Sequence, residues 1–259
     1  MTMNPRKNDH MKTHTLKRIT DHREFMLIYI IVLGIIALAY AAPAFLTRSS
    51  FSAVLLSLSD QSMIAVGMTI LLVAGAFDLS VGSTVALAGL VTAVFVSNGL
   101  PVPLSIAAGL ATGVLVGVVN GLIITEIGIN AFITTLGMMS LLRGLVLVIS
   151  GGQNVSDLPK AFAQIGQGTV WGIQYPIIIS LAIVAAGHFL LSKTRFFRQN
   201  YYIGGNEKAA LLSGINVKRM TVFNFALIGF LAALARLPLP VLRASCPWYP
   251  CWLRWNVPG

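Results

Sequence analysis

The chain has 259 residues, of which 56% are hydrophobic and only 10% charged, and its mean hydropathy is +0.81. Because a soluble domain carries roughly 25% charged residues, this composition excludes an ordinary soluble domain and indicates an integral membrane protein. The net charge of +10 does not indicate nucleic-acid binding, since twelve of the 18 Lys and Arg residues fall in two segments, six in residues 1–24 and six in residues 193–219. Basic segments beside apolar spans are typical of the cytoplasmic side of a membrane protein.

The first part of the chain predicts a polar arm followed by a membrane span. Residues 1–24 are interpreted as a basic cytoplasmic arm, and residues 25–45 approach the roughly 20 apolar residues that a bilayer requires. Residues 51–62 are interpreted as an amphipathic lead-in that Asp60 and Gln61 interrupt. Apolar segments follow at 63–76 and 84–96, with Asp78 between them.

The distribution of basic residues decides how the segment around Asp78 is divided. Further spans are predicted at about 103–125, 131–149 and 175–191. If residues 63–96 form two spans, six spans separate the two basic segments, which then share the cytoplasmic side. If they form one span, the basic segments lie on opposite sides. The sequence therefore predicts a break at Asp78, and a seventh span begins over Val222–Ala235.

Small residues recur at every fourth position of the 103–125 span. They are Ser105, Gly109, Gly113, Gly117 and Gly121. Residues four apart share one helix face, and small side chains there let a second helix backbone approach closely. The register predicts a tightly packed inner helix, whereas glycines that membranes merely tolerate would be scattered.

Two later segments are polar or unusual in composition. Residues 150–174 form a long connection that faces outward by the count of spans, with a single basic residue, Lys160. It is either a contact for an extracytoplasmic partner or simply a long loop. Residues 236–259 contain five of the 11 prolines and three of the four tryptophans, and we interpret this shift as an aberrant tail after a frameshift or truncation near residue 235.

Helix signals mark a short segment within the second basic region. Asn206 is suited to cap a helix start, Glu207 suits its first turn, and Gly214 suits the position after its end. The predicted helix, Glu207–Ser213, has about two turns and is too short to be stable alone in water. We expect it to face the cytoplasm and to dock on another protein.

Few side chains within the apolar segments are suited to chemistry. Asp78 is an ionisable residue in an apolar stretch, and such residues often line transport pathways. Asp78 and Ser80 could equally cap the helix that follows. Asn120, Thr134 and Thr135 suit either a hydroxyl-rich solute or hydrogen bonds between helices.

Catalytic patterns are absent from the sequence. It contains no phosphate-binding loop, so we expect any ATP hydrolysis to occur in a separate subunit. The two cysteines have no histidine near them, and we expect neither a metal site nor a cofactor. The chain is therefore not predicted to be an enzyme.

Several stretches together resemble the permease subunits of ribose/monosaccharide-type ABC importers. They are Gly-Met-Thr-Ile at 67–70, Gly-Ala-Phe-Asp-Leu-Ser-Val-Gly-Ser at 75–83, Asn-Gly-Leu at 120–122, Phe-Ile-Thr-Thr-Leu-Gly-Met-Met-Ser-Leu-Leu-Arg-Gly at 132–144, and Gly-Gly-Asn-Glu-Lys-Ala-Ala-Leu-Leu-Ser-Gly-Ile-Asn-Val at 204–217. The resemblance covers about residues 25–235.

The resemblance implies an all-α polytopic bundle in the bacterial inner membrane, with six to seven spans here and more in the family. It implies a second permease copy, a separate ATPase subunit and an extracytoplasmic solute-binding protein as partners, besides the lipid bilayer, and no nucleic acid. By the same resemblance, residues 204–217 form the cytoplasmic segment that contacts the ATPase. The coupling residues carried over are Gly204, Gly205, Asn206, Glu207, Ala210, Ser213 and Gly214.

The expected organisation is a cytoplasmic arm (1–24), a permease domain (25–235) with a coupling segment (192–220), and the tail (236–259). Two other hypotheses stay open at this point: a non-functional remnant of such a permease, and a secondary transporter that acts alone. The residues do not choose among ribose, xylose, galactose-like sugars, nucleosides and furanosyl signals. A branched-chain amino-acid permease is a more distant possibility.

Overall fold

The computed structural model describes residues 22–42, 47–153, 168–170 and 172–236. The chain divides into two compact units, Met1–Val54 and Leu55–Gly259. In chain order the helices are α1 (His22–Ala41), α2 (Arg48–Val73), α3 (Val81–Ser97), α4 (Val102–Leu122), α5 (Ala131–Ser150), α6 (Tyr175–Lys193), α7 (Arg195–Gly205), α8 (Glu207–Leu212) and α9 (Val217–Arg236). The predicted arm before residue 22, the centre of the outward connection with Lys160, and the tail from residue 237 lie outside the described residues.

Apolar helices dominate the described residues and confirm the predicted all-α polytopic bundle. Five helical segments are long and apolar enough to cross a membrane: Arg48–Val73, Val102–Ile127, Ala131–Ser150, Tyr175–Lys193 and Val217–Arg236. Two shorter apolar helices are Ile28–Ala41 and Val81–Ser97. Within the described part of the chain these agree with the prediction of six to seven spans.

The predicted break around Asp78 is present, but the predicted lead-in before it is wrong. The helix α2 runs without interruption from Arg48 through Asp60 and Gln61 to Val73. Single polar residues cost little within a helix, because each still donates and accepts its backbone hydrogen bonds there. The helix ends at Val73, and the turn after it contains Gly75, whose φ of 79° is a left-handed conformation that glycine adopts without strain.

The small-residue face of α4 packs directly on the backbone of α9 at Gly113, Gly117 and Gly121, whereas Gly109 packs on α3. Ser105, Gly109, Gly113, Gly117 and Gly121 are all buried. A methyl group at Gly113 would overlap the carbonyl oxygen of Gly229, and a methyl group at Gly229 would overlap that of Gly113. At Gly121 it would lie 2.7 Å from the Cα of Val222. The two helices therefore touch through main-chain atoms.

Two short elements lie between the spans. A π-helical turn, Ile123–Ile127, prolongs α4 and ends at Gly128, whose φ is 80°. Before α6, the strands β1 (Thr169–Val170) and β2 (Ile173–Gln174) form an antiparallel pair in the register Thr169↔Gln174 and Val170↔Ile173. Both features are short, and the spans themselves carry the fold.

Candidate functional site

A buried hydrogen-bonded network joins the turn before α3 to α4. Oδ1 of Asp78 accepts the backbone N–H of Ser80 at 2.7 Å and the Ser80 hydroxyl at 2.6 Å. Nδ2 of Asn120 donates to the Ser80 hydroxyl oxygen at 3.0 Å. All three side chains are buried. The network therefore connects two elements that lie 40 residues apart in the chain.

Of the two interpretations of Asp78 and Ser80, a side-chain cap on α3 is not what the hydrogen bonds show. Ser80 is the N-cap residue of α3, but its side chain makes no capping hydrogen bond, because its hydroxyl donates to Asp78. Asp78 lies two residues before the N-cap and accepts the N–H of Ser80 itself. The carboxylate thus shapes the turn that leads into α3.

Buried polar atoms without partners distinguish Asn120 and Thr134 from Thr135. Among the described residues, Oδ1 of Asn120 and Oγ1 of Thr134 have no hydrogen-bond partner. The Thr135 hydroxyl donates to the carbonyl of Ala131 at 2.8 Å within α5. An unpaired buried polar atom costs about 1–3 kcal/mol, a cost that a polar solute or water would remove. Asn120 and Thr134 therefore have free hydrogen-bonding capacity.

The start of α5 lies near the same apolar cluster as the turn at Asp78. Leu71, Phe225 and Ile228 form a buried cluster, and Val81 and Ala131 pack against it from the starts of α3 and α5. Thr134 and Thr135 make no hydrogen bond to the Asp78 network within the described residues. The structure thus joins Asp78, Ser80 and Asn120 and leaves the two threonines as neighbours on α5.

The short helix α8 has the local structure that its sequence signals indicate. Oδ1 of Asn206 accepts the N–H of Ala209 at 3.1 Å and caps the helix start. Glu207 is the first helical residue, and Gly214 follows the end with a φ of 82°. Ser213 is the C-cap, so the helix is one residue shorter than predicted.

One side of α8 is anchored and the other is exposed. Ala210, the buried residue of this helix, packs with Ile203 of α7 and with Val217 and Met220 of α9. The Leu212 side chain is 91% exposed. Leu211 beside it is 53% exposed, so this side of α8 presents two adjacent apolar side chains.

The helix α7 was not predicted, and it holds residues that the sequence reading missed. Its buried face is formed by Phe197, Asn200 and Ile203, which are three residues apart as on one helix face. Nδ2 of Asn224 in α9 donates to Oδ1 of Asn200 at 2.8 Å, with both side chains buried. The basic residues of this segment indicate only its charge. The three-residue spacing of its buried positions is the pattern that indicates a helix.

Contacts place α7, α8 and the Asp78 turn at one end of the bundle. A methyl group at Gly204 would overlap the carbonyl oxygen of Val73, and one at Gly75 would lie 3.5 Å from the Cα of Gly204. At the same end, Nζ of Lys218 lies 3.1 Å from Oε2 of Glu126 in the π-helical turn. Gly204 and Gly205 are thus the last residues of α7, against or beside the end of α2.

Two cavities on the described surface have different positions and linings. A groove of about 630 Å³ lies between α7 and α8, and its polar lining comes from Arg195, Gln199, Tyr201, Tyr202, Asn206 and Ser213. A mostly apolar cavity of about 330 Å³ lies between α4 and α5. Within the described residues, no group of three or more His, Cys, Asp or Glu side chains could hold a metal ion.

Comparisons with known proteins give a consistent class. Residues 50–245 match the family model described as branched-chain amino acid transport system / permease component. The ribose import permease protein of Haemophilus influenzae is 40% identical over 223 residues, which cover 85% of this chain and 68% of that protein. The L-arabinose transport system permease protein of Escherichia coli is 38% identical over 218 residues, 84% of this chain and 66% of that protein.

A third relative gives a similar match. The ribose import permease protein of Bacillus subtilis is 38% identical over 203 residues, 78% of this chain and 63% of that protein. The chain spans about two thirds of the length of the curated relatives that it matches. No solved structure matches the chain.

Proposed function

The chain belongs to the branched-chain amino acid transport system / permease component family, and we propose that it forms part of the transmembrane path of an ATP-binding cassette importer. The observation that carries this proposal is the 40% identity to a ribose import permease over 85% of the chain. As a permease component it is not itself an enzyme. ATP hydrolysis occurs in a separate subunit, to which this chain is coupled.

The proposed solute is a monosaccharide. The matched relatives are named for ribose and L-arabinose, and none of those reported above is named for an amino acid. Asn120 and Thr134 support the same class, because their unpaired atoms can exchange hydrogen bonds with sugar hydroxyls. Asp78 and Ser80 hold Asn120 in place beside this path.

The proposed ATPase contact is α8 with the groove beside it. Support comes from the exposed Leu212 side chain and from the excess of Lys and Arg over Glu in residues 193–219. A partner surface that is partly apolar and acidic would complement this segment. Beyond the ATPase, the importer would require a second permease copy and an extracytoplasmic solute-binding protein.

The proposed orientation places both basic segments in the cytoplasm. Support for the second basic segment comes from its own unit, in which the turn at Asp78, the π-helical turn and α7–α8 lie at one end. An even number of spans between these connections is required for that arrangement, and the observed helices provide it. The proposal is therefore a multi-pass inner-membrane protein whose N-terminus lies in the cytoplasm.

Co-purification and uptake test the proposal together. The chain is expressed with the ATPase and the solute-binding protein of its gene cluster in cells that lack ribose and L-arabinose uptake. We expect the tagged chain to retain the ATPase and to support uptake of one labelled sugar, dependent on a hydrolysis-competent ATPase. Uptake driven by an ion gradient without any ATPase would favour a secondary transporter, and failure of both measurements would overturn the proposal.

A point substitution tests the solute path. Asn120→Ala removes the bond to Ser80 and the free acceptor Oδ1, and each neutral hydrogen bond contributes about 0.5–1.5 kcal/mol. We expect the sugar concentration for half-maximal uptake to rise about 2–10-fold. Thr112→Val is the matched control, since the Thr112 hydroxyl donates within α4. Equal uptake curves for both variants would remove Asn120 from the path.

A further inference from the structure

The helix α7 connects the ends of two spans and packs on a third. Only Thr194 separates it from α6, whose 19 residues rise about 28 Å, close to the roughly 30 Å thickness of the hydrocarbon core of a bilayer. Near its other end, a methyl group at Gly204 would overlap the carbonyl oxygen of Val73, the last residue of α2. Between these ends, Phe197 packs edge to face on Phe223 of α9, with ring centroids 6.0 Å apart. An element placed across the ends of spans lies at the depth of the lipid headgroups.

The exposed face of α7 is basic. Arg195, Arg198 and Tyr202 lie three and four positions apart, so they share one side of the helix, opposite its buried face. All three side chains are exposed. Residues 193–206 contain three Lys and Arg residues and no Asp or Glu. This face therefore attracts an anionic partner.

Exposed aromatic rings lie beside these arginines. The side chains of Phe196, Tyr201 and Tyr202 are 47%, 53% and 64% exposed. Tyrosine is enriched at membrane–water interfaces because its ring is apolar and its hydroxyl is polar. Basic residues and aromatic rings on a helix in the interface are typical of contact with anionic lipid. The composition and the position of α7 thus indicate the same partner.

The neighbouring helix α8 has a different surface. The charges of Glu207 and Lys208 cancel, and Leu211 and Leu212 are exposed. A neutral and apolar surface suits a protein partner, whereas phosphate groups are bound by cations. Arg195 also lines the groove between α7 and α8, so the ATPase is the other candidate to contact this arginine.

We propose that the exposed face of α7 binds the headgroups of anionic phospholipids in the leaflet at this end of the bundle. The guanidinium groups of Arg195 and Arg198 donate paired hydrogen bonds to phosphate oxygens, a geometry that a lysine does not provide. The hydroxyl of Tyr202 adds a further donor on the same face. This inference goes beyond the proposed function, because it requires a membrane-spanning chain and not the transport of a sugar or the binding of an ATPase.

Competition between two lipids tests this inference. The purified full chain in detergent is mixed with equal amounts of phosphatidylglycerol and phosphatidylcholine, and the retained lipids are counted by native mass spectrometry. Removing both charges of the face, with Arg195→Gln and Arg198→Gln together, should lower the ratio of retained phosphatidylglycerol to phosphatidylcholine at least fivefold. The matched control is Lys208→Gln with Arg219→Gln, which removes two exposed positive charges outside α7 at the same end. It should keep the ratio within twofold of the unmodified chain.

The outcomes separate lipid binding from general charge effects and from the ATPase contact. An unchanged ratio in the α7 variant, or an equal loss in both double variants, would overturn the inference. If the α7 variant retains its lipid ratio and loses the ATPase in a pull-down, the face belongs to the ATPase, and the proposed function stands without the lipid site. If the double variant does not elute as the unmodified chain does, Arg198→Gln alone, which lies outside the groove lining, should lower the ratio at least twofold. No change in that single variant would equally overturn the inference. A chain that binds phosphatidylglycerol in this way but neither retains the ATPase nor supports uptake would refute only the proposed function.

Discussion

The α4–α9 interface and the α7–α8 end are held together by different kinds of contact. In the interface, Gly113 and Gly229 touch through their main-chain atoms, with no side chain between them. At the α7–α8 end, an asparagine pair, three aromatic rings and a capped two-turn helix make the contacts. One region is closed by shape, and the other by directional side-chain interactions.

This contrast indicates that the α4–α9 interface is rigid and that the α7–α8 end can rearrange. Main-chain contacts have no rotamers to change, so the α4–α9 pair must keep its geometry or separate. Side-chain hydrogen bonds and exposed residues such as Leu212 can exchange partners when another protein binds. We therefore expect substitutions in the first region to act on folding and substitutions in the second to act on assembly and coupling.

The largest effect is expected where α4 and α9 approach each other most closely. Gly113→Leu would place a side chain where the carbonyl of Gly229 and the Cβ of Ala233 lie, the latter 2.7 Å from a Cβ at Gly113. Overpacking of this kind costs about 1–3 kcal/mol, and more where backbone cannot move aside. We expect loss of monodisperse protein in detergent, measured by size-exclusion chromatography and by the thermal unfolding midpoint.

Gly144→Leu is the matched control for that substitution. It changes the same residue type in the neighbouring span α5, where a Cβ meets no atom within 4 Å. Its elution profile and unfolding midpoint should equal those of the unmodified chain. Equal loss in both variants would show that any large residue in a glycine position disrupts the bundle, which contradicts a specific α4–α9 contact.

The buried face of α4 could be predicted from sequence because small residues recur there at every fourth position. A spacing of four from Ser105 to Gly121 corresponds to one helix face, and this face is the one that the structure buries. The partner could not be anticipated. Gly229 lies more than 100 residues away, and a single glycine in an apolar helix does not identify which helix it contacts.

An intermediate effect is expected at the cap of α8. Asn206→Ala removes the acceptor for the N–H of Ala209, and loss of such a cap costs about 0.5–2 kcal/mol. Because α8 has six residues, this cost is a large fraction of its stability. We expect weaker retention of the ATPase in pull-downs, with a normal unfolding midpoint for the membrane bundle.

Asn206→Asp preserves an oxygen acceptor at the same position and should retain the ATPase as the unmodified chain does. If Asn206→Ala binds the ATPase normally, α8 does not need its cap when the partner is present. If Asn206→Ala lowers the unfolding midpoint of the bundle as much as Gly113→Leu does, the α7–α8 end is as rigid a part of the fold as the α4–α9 interface. Either result would remove the distinction between the two regions.

The α7–α8 end was only partly predictable, for a physical reason. The cap at Asn206 and the turn at Gly214 are local signals that the chain carries within a few residues. The Asn200–Asn224 bond and the contact of Gly204 with Val73 depend on where α7 lands after the chain has crossed the membrane. The interruption predicted at Asp60 and Gln61 was wrong, because a polar residue indicates the surroundings of its side chain and does not by itself end a helix.

The smallest effect is expected at the ion pair between Lys218 and Glu126. The two side chains are 61% and 58% exposed, and exposed pairs contribute about 0–1 kcal/mol because water and salt screen them. Glu126→Gln should therefore change the unfolding midpoint little, and its effect on uptake should vanish at high salt. The doubly reversed variant, Glu126→Lys with Lys218→Glu, should behave as the unmodified chain. A loss of uptake in Glu126→Gln at all salt concentrations would show that the π-helical turn depends on this pair. The rigid α4–α9 interface would then include the end of the bundle where α8 lies.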